Sequence, residues 1–272
     1  MPVSSLADGR KSWQLRDRNA QLTRWFAYFA AVAIFMWCWK KISDSTTWFF
    51  VWDAPRIASD IGSRAFPPRW SYMDKLWEPL WDTLNIATLG TLLALVFAVP
   101  IAFLAARNTT PSAVFVRPIA LLIIVSSRSI NSLIWALLLV AVIGPGVLAG
   151  LIAIALRSIG FCAKLLYEAI EEIDHKQVEA VTATGAGPLQ VMAYGILPQI
   201  MPAFAGVAVF RWDINIREST VLGLVGAGGI GVQMQASLNT LAWPQVALIL
   251  LVILLAVIVS EWVSAKVRGA II

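Results

Sequence analysis

Apolar residues recur along this chain in runs long enough to cross a bilayer, and polar residues collect between the runs. A spanning helix needs about 20 mostly apolar residues. By that measure the sequence predicts six spans, near 24–42, 80–106, 118–143, 147–170, 200–221 and 244–264. The expected fold class is an all-α membrane protein, a polytopic bundle of about six transmembrane helices.

Two polar stretches divide these runs. The first, about 43–79, mixes charges with tryptophans and contains Phe66-Pro67-Pro68-Arg69-Trp70, whose paired prolines exclude a continuous helix there. It reads as an external loop lying against the membrane surface, with Trp48, Trp52, Trp70 and Trp77 as interfacial anchors. The second, 171–188, is too polar to cross a membrane. Val178, Val181 and Leu189 interleave there with alanines, which predicts a short surface helix, a break at 185–188 and a resumed helix before Leu197-Pro198.

Composition agrees with a bilayer as solvent: 59% hydrophobic, 14% charged, mean hydropathy +0.75. No soluble half separates off, so we expect one membrane domain over 25–272 after a basic segment over 1–24. The net charge of +5 does not imply nucleic acid, because the basic residues sit beside apolar runs rather than in a stripe. Arg10, Lys11, Arg16, Arg18 and Arg24, Arg107 with Arg117, Lys176, and Lys266 with Arg268 all fall on one side. The positive-inside rule makes that side cytoplasmic, both termini included. Against this, Arg56, Arg64, Arg69 and Lys75 lie on the other side, accompanied by Asp44, Asp53, Asp60, Asp74 and Glu78. The first run has no cleavage pattern and ends in Trp37-Cys38-Trp39-Lys40-Lys41, which suits a retained anchor. Cys38 and Cys162 stand in apolar segments and offer neither a disulfide framework nor a metal site.

Charges inside spans cost roughly 2.5–3.5 kcal/mol each on insertion, so each must face protein, water or a partner. Arg128 stands in the polar stripe Ser126-Ser127-Arg128-Ser129-Ile130-Asn131-Ser132. It either lines a route for an oxyanion, or pairs with an acid on another helix or snorkels. Asp213 and Arg217 are spaced to pair on one helix face, Arg211 and Asn215 lie on a neighbouring face, and Lys164 with Glu168 reads as a structural pair. The candidate translocation pathway is therefore Ser126, Ser127, Arg128, Asn131, Arg211, Asn215 and Arg217. His175, in the polar stretch, is expected to be solvated.

Gly226-Ala227-Gly228-Gly229-Ile230-Gly231 satisfies the dinucleotide fingerprint, but it follows a membrane span and is followed by the apolar run 248–255 where a ribose-binding acid should stand. The expected use of Gly223, Gly226, Gly228, Gly229 and Gly231 is close helix approach and a bend beside the pathway. No phosphate-binding G-x-x-x-x-G-K-[ST] occurs, so ATP is not expected on this chain.

Glu179-Ala180-Val181, then Gly185, then Leu197-Pro198, resembles the EAA loop of bacterial ABC-importer permeases. The family usually has Ile two places before the Leu, where this chain has Gly195. The run from Arg211 to Gly231, with 164–171 and 194–199, is similar to the phosphonate, phosphite and hypophosphite importer permeases. The resemblance implies a type I ABC-importer permease fold in a bacterial inner membrane. It implies a coupling loop over 171–199 that uses Glu179, Ala180, Val181, Gly185, Leu197 and Pro198. Expected partners are a second copy of the permease, two copies of a cytoplasmic ATPase that would hold ATP and Mg, and a periplasmic substrate-binding protein. The implied function is alternating-access import of a phosphorus oxyanion, with no catalysis on this chain. Other readings are an ABC permease for another small solute, and a secondary transporter or channel built on Arg128, Asp213 and Glu218. A membrane enzyme has least support, since the spans hold no His cluster and no nucleophile with its base.

Overall fold

The computed structural model of the chain describes residues 3–5, 9, 11–13 and 18–271, and the side chains of 19–270. Of the predicted basic N-terminal group, Arg10 and Arg16 lie outside the described residues. The chain divides into two compact units, Met1–Gly62 and Ser63–Ile272.

In the first unit, strands β1 (Val3–Ser5) and β2 (Lys11–Trp13) pair antiparallel, Val3 opposite Trp13 and Ser5 opposite Lys11. The sequence carries no alternation that foretells this ribbon. Helix α1 (Arg18–Ser45) has the hydropathy of a span, and none of its described side chains is buried. A surface so apolar is stable only in lipid or against another apolar surface. Helix α2 (Trp48–Ala65) occupies what the sequence reads as an external loop. Phe50, Ala54, Ile57 and Ile61 recur at helical spacing, with Asp53, Arg56, Asp60 and Arg64 on the adjoining face, and that amphipathic period outweighs Pro55. The helix ends at Ala65, before Pro67-Pro68, where the missing N–H groups forbid continuation.

The second unit begins within the last turn of α2 and continues through a 3-10 turn over Trp70–Lys75. It contains α3 (Trp77–Ala105), α4 (Val116–Ser129), α5 (Ser132–Ile143) and α6 (Val147–Glu171). Then come α7 (His175–Ala183), α8 (Pro188–Val191), a π-turn over Met192–Ile196 and α9 (Leu197–Gly223). Helices α10 (Ile230–Asn239) and α11 (Trp243–Ile271) complete the chain. Five helical stretches among the described residues are long and apolar enough to cross a membrane alone: α1, α3, α6, the segment ending in α9, and α11.

The predicted span over 118–143 is not continuous. It breaks into α4 and α5, bent by 86°. The cause is local: Asn131 adopts extended backbone and its Oδ1 accepts from Leu133 N at 3.1 Å, which caps a new helix and ends the old one. The polar stripe that suggested a pathway is also what interrupts the helix.

α3 and α6 form a close seam built from small residues: Ala87, Gly90, Ala94 and Ala98 on α3 against Gly150, Ala153 and Ala163 on α6. A Cβ on Gly90 would meet Ile154 Cγ2 at 2.9 Å and Leu151 O at 3.2 Å, so the absent side chain is the space into which α6 packs. Buried alanines and isoleucines continue this packing toward α4 and α9.

Candidate functional site

The polar stretch between α6 and α9 projects as a compact pair of short helices. Asp174 caps α7, its Oδ1 accepting from Lys176 N at 3.0 Å, while its own N–H donates to Gln199 Oε1 at 2.9 Å and so ties the start of the projection to α9. Gly185 turns the chain at φ +82°, in the left-handed region where only glycine is unstrained. Gln190 then accepts from Gly187 N at 2.9 Å and starts α8. The π-turn brings Gly195 against α7, where a Cβ would lie 3.5 Å from Val178 Cα. The position where this chain departs from the EAA pattern is thus a contact between the two halves of the projection.

Within this projection Glu179, Ala180, Leu197 and Pro198 are exposed, and Val181 is half-buried toward Gly195. Glu179 has no ion pair or side-chain hydrogen bond among the described residues. His175 is exposed, as expected.

A second polar feature is buried where α6, α9 and α3 meet. Arg211 on α9 has a side chain only 3% exposed; its Nε donates to Ser158 Oγ at 2.9 Å and its Nη2 to Glu218 Oε2 at 3.2 Å. Its guanidinium lies 5.1 Å from the Phe161 ring centre. The other oxygen of Glu218 takes Arg157 Nη1 at 2.8 Å, and that nitrogen also donates to Ser132 Oγ at 3.3 Å. Asn215 Nδ2 donates to Thr91 Oγ1 at 2.7 Å and to Ser158 Oγ at 3.2 Å. Asp213 holds Arg217 and accepts from Ser260 Oγ at 2.8 Å. Beside this network opens a cleft of about 510 Å³, lined among others by Asn131, Ser132, Arg157, Arg217 and Glu218. A smaller cavity of about 130 Å³, walled by Val99, Phe103, Leu166, Ile200 and Phe204 among others, is wholly apolar and offers nothing to an anion.

The structure separates the predicted pathway residues. Asn131 and Arg217 line the cleft. Arg211 and Asn215 are sealed inside the network, where both donate to Ser158 Oγ, and the acidic partner of Arg211 is Glu218 on the same face of α9. Ser127 joins helices: its Oγ donates to Leu156 O and accepts from Gly160 N at 2.9 Å. Ser126 and Arg128 are exposed at the end of α4, and Arg128 has no acidic partner among the described residues. The Asp213–Arg217 and Lys164–Glu168 pairs form as their spacing predicts, the latter at 3.4 Å.

Arg157, Ser132 and Ser158 were not singled out from the sequence. The signal for Arg157 was available, since it stands in the middle of the apolar run 147–170 and bears the same insertion cost as Arg128. Its partner was not readable, because Glu218 is 61 residues away.

The glycine-rich run forms the turn between α9 and α10, preceded by a helix and not by the strand a dinucleotide site needs. Gly226, Gly228 and Gly229 have positive φ. Gly223 packs so closely on this turn that its Cβ would lie 2.6 Å from Gly231 Cα. Ile230 N donates to Thr83 Oγ1 at 2.8 Å and fixes the turn to α3.

Comparison with known proteins extends this picture. The sequence family described as "Binding-protein-dependent transport system inner membrane component" matches residues 98–268, which contain the projection and, apart from Thr91, the buried network. The chain is 40% identical over 250 residues to the phosphite transport system permease protein PtxC of Stutzerimonas stutzeri, covering 90% of each. It is 41% identical over 205 residues to the phosphate-import permease protein PhnE of Mycolicibacterium smegmatis, a match that takes in 75% of this chain and 38% of that longer protein. Among solved structures, inward-facing conformations of the MetNI methionine ABC transporter align with a TM-score of 0.65 at 20% identity, over 75% of this chain and 99% of that one, a likeness of fold.

Proposed function

Because this chain belongs to the family of binding-protein-dependent transport system inner membrane components, we propose that it is the permease of an ATP-driven importer whose cargo is a phosphorus oxyanion. The observation that carries the reading is the α7–α8 projection: a polar surface between two spans, turned at Gly185, with Glu179 and Ala180 free for another protein. Such a surface suits docking to a cytoplasmic ATPase, which would hold ATP and Mg, while this chain supplies the passage. A second copy would complete the passage, two ATPases would drive it, and a periplasmic binding protein would deliver the cargo. Both termini would then be cytoplasmic.

In this mechanism, closure of the paired ATPases moves the docked projections together. Asp174, tied to Gln199, passes that movement into α9, and α9 carries Arg211, Asn215, Arg217 and Glu218. The seam of small residues between α3 and α6 transmits displacement rather than absorbing it, since tightly packed interiors switch between discrete arrangements. The cationic groups beside the cleft favour an anion, and the names of the relatives supply the phosphorus class.

The broken α4–α5 pair would also serve a secondary transporter, whose sites are commonly built on interrupted helices. Reconstitution distinguishes the two. In proteoliposomes with the cognate ATPase and binding protein, phosphite, phosphonate, hypophosphite or phosphate should accumulate only when ATP is hydrolysed. Accumulation without the ATPase, driven by an ion gradient, would replace this reading with the secondary transporter.

A further inference from the structure

Glu218 divides its two oxygens between guanidiniums in unlike surroundings. Oε2 meets Arg211, whose side chain is 3% exposed, whereas Oε1 meets Arg157, whose side chain is 32% exposed. Both Arg157 and Glu218 line the cleft, together with Ser132, Asn131 and Arg217. Arg157 uses a single nitrogen, Nη1, for both Glu218 and Ser132. Its Nε and Nη2 have no partner among the described residues, so a guanidinium built for paired hydrogen bonds stands partly unused at an open surface. The amide nitrogen of Asn131 likewise has none, its oxygen being taken by Leu133 N and Ser132 Oγ.

Charge points the same way. Arg157, Arg211 and Arg217 face only Glu218 and Asp213 in this network, which leaves a surplus positive charge beside the cleft. Depth narrows the ligand. At about 1.5 Å per residue, Arg157 lies about 15 Å from the Val147 end of α6 and about 21 Å from its Glu171 end. That is the middle of a hydrocarbon layer about 30 Å thick, beyond the reach of lipid headgroup phosphates.

We propose that Glu218 is a resident substitute for the cargo. A phosphorus oxyanion entering the cleft displaces Oε1 from Arg157, and Glu218 shifts fully onto Arg211. Arg157 then binds two oxyanion oxygens, with Ser132, Asn131 and Arg217 as further donors. No covalent bond changes; the single contact of Arg157 with Glu218 is exchanged for a paired contact with the oxyanion, whose two oxygens suit the guanidinium better than the one carboxylate oxygen does. When the cargo leaves, Glu218 returns and the buried arginines are never left without an anion.

The proposal rests on the function given above, and the test keeps the two apart. Titrating the detergent-purified permease–ATPase complex, without binding protein, with phosphite by calorimetry reads the cleft directly. Arg157→Gln should weaken binding about tenfold or more, as expected for loss of a charge-assisted paired contact. Arg157→Lys should restore part of it. Glu218→Gln should strengthen binding, since it removes the competing anion. Opposite signs are the signature, because a purely structural ion pair would lose binding in both variants. If Arg157→Gln fails to assemble with the ATPase, Arg157→Lys and Glu218→Gln still decide the matter. Unchanged binding in Arg157→Gln, or weakened binding in Glu218→Gln, would overturn the exchange. Normal ATP-driven phosphite uptake by the wild-type complex alongside such a result would overturn the exchange alone. Absence of uptake of every phosphorus oxyanion by the wild type would remove the function and the exchange together.

Discussion

The buried network around Glu218 and the α7–α8 projection are both polar interruptions of an apolar chain, yet they satisfy their polar groups in opposite ways. Arg211 is held by Ser158, Phe161 and Glu218, contributed by two helices. Glu179 is exposed and holds nothing among the described residues. A charge removed from water must find its partner inside the fold, whereas an exposed charge stays available to a partner from outside. Substitutions in the first region should therefore damage the protein, and substitutions in the second should damage only its communication.

The largest effect is expected from Arg211→Leu, which leaves Glu218 with Arg157 alone and removes the donor on Ser158 Oγ. Loss of a buried charge-assisted contact should lower stability by about 3 kcal/mol, read as a fall in Tm of the purified complex. A small fall would mean that the network is more solvated than its burial indicates. Next comes Gly223→Val, whose Cβ would lie 2.6 Å from Gly231 Cα; overpacking of this kind costs about 1–3 kcal/mol. Gly185→Val should strain the turn by about 1–2 kcal/mol, confined to the projection. ATP-driven uptake should be lost while membrane insertion and the Tm of the core stay near wild type. A large Tm drop here would erase the contrast between the two regions. Arg128→Ala should leave stability within about 0.5 kcal/mol, as for a surface change away from any pair, and slow anion uptake; unchanged uptake kinetics would remove this cation from the route. The smallest effect is expected from Lys164→Ala, whose half-exposed helical pair with Glu168 is worth at most about 0.5 kcal/mol.

How far the sequence could be read depended on the range of the interaction. The Asp213–Arg217 and Lys164–Glu168 pairs were legible because helix geometry alone places residues four apart on one face. The turn at Gly185 was legible from the glycine and the polarity around it. The interruption near Asn131 was visible as a polar stripe, but its meaning was not. The same serines, arginine and asparagine are consistent with a pathway in an unbroken span and with a cap that bends it by 86°. The role of Ser127 was hidden because its partners, Leu156 and Gly160, belong to α6.

By itself the sequence determined that the chain is a helical membrane protein with a polar segment between two of its spans. Hydrophobic run length, proline and glycine act locally and are written in order along the chain. Only the tertiary structure decided which charges are closed and which are open. It joined Arg157, Arg211 and Glu218 from α6 and α9 into one network and placed one edge of that network on a cleft. Burial and pairing between distant helices follow from how those helices pack, and no local pattern encodes that.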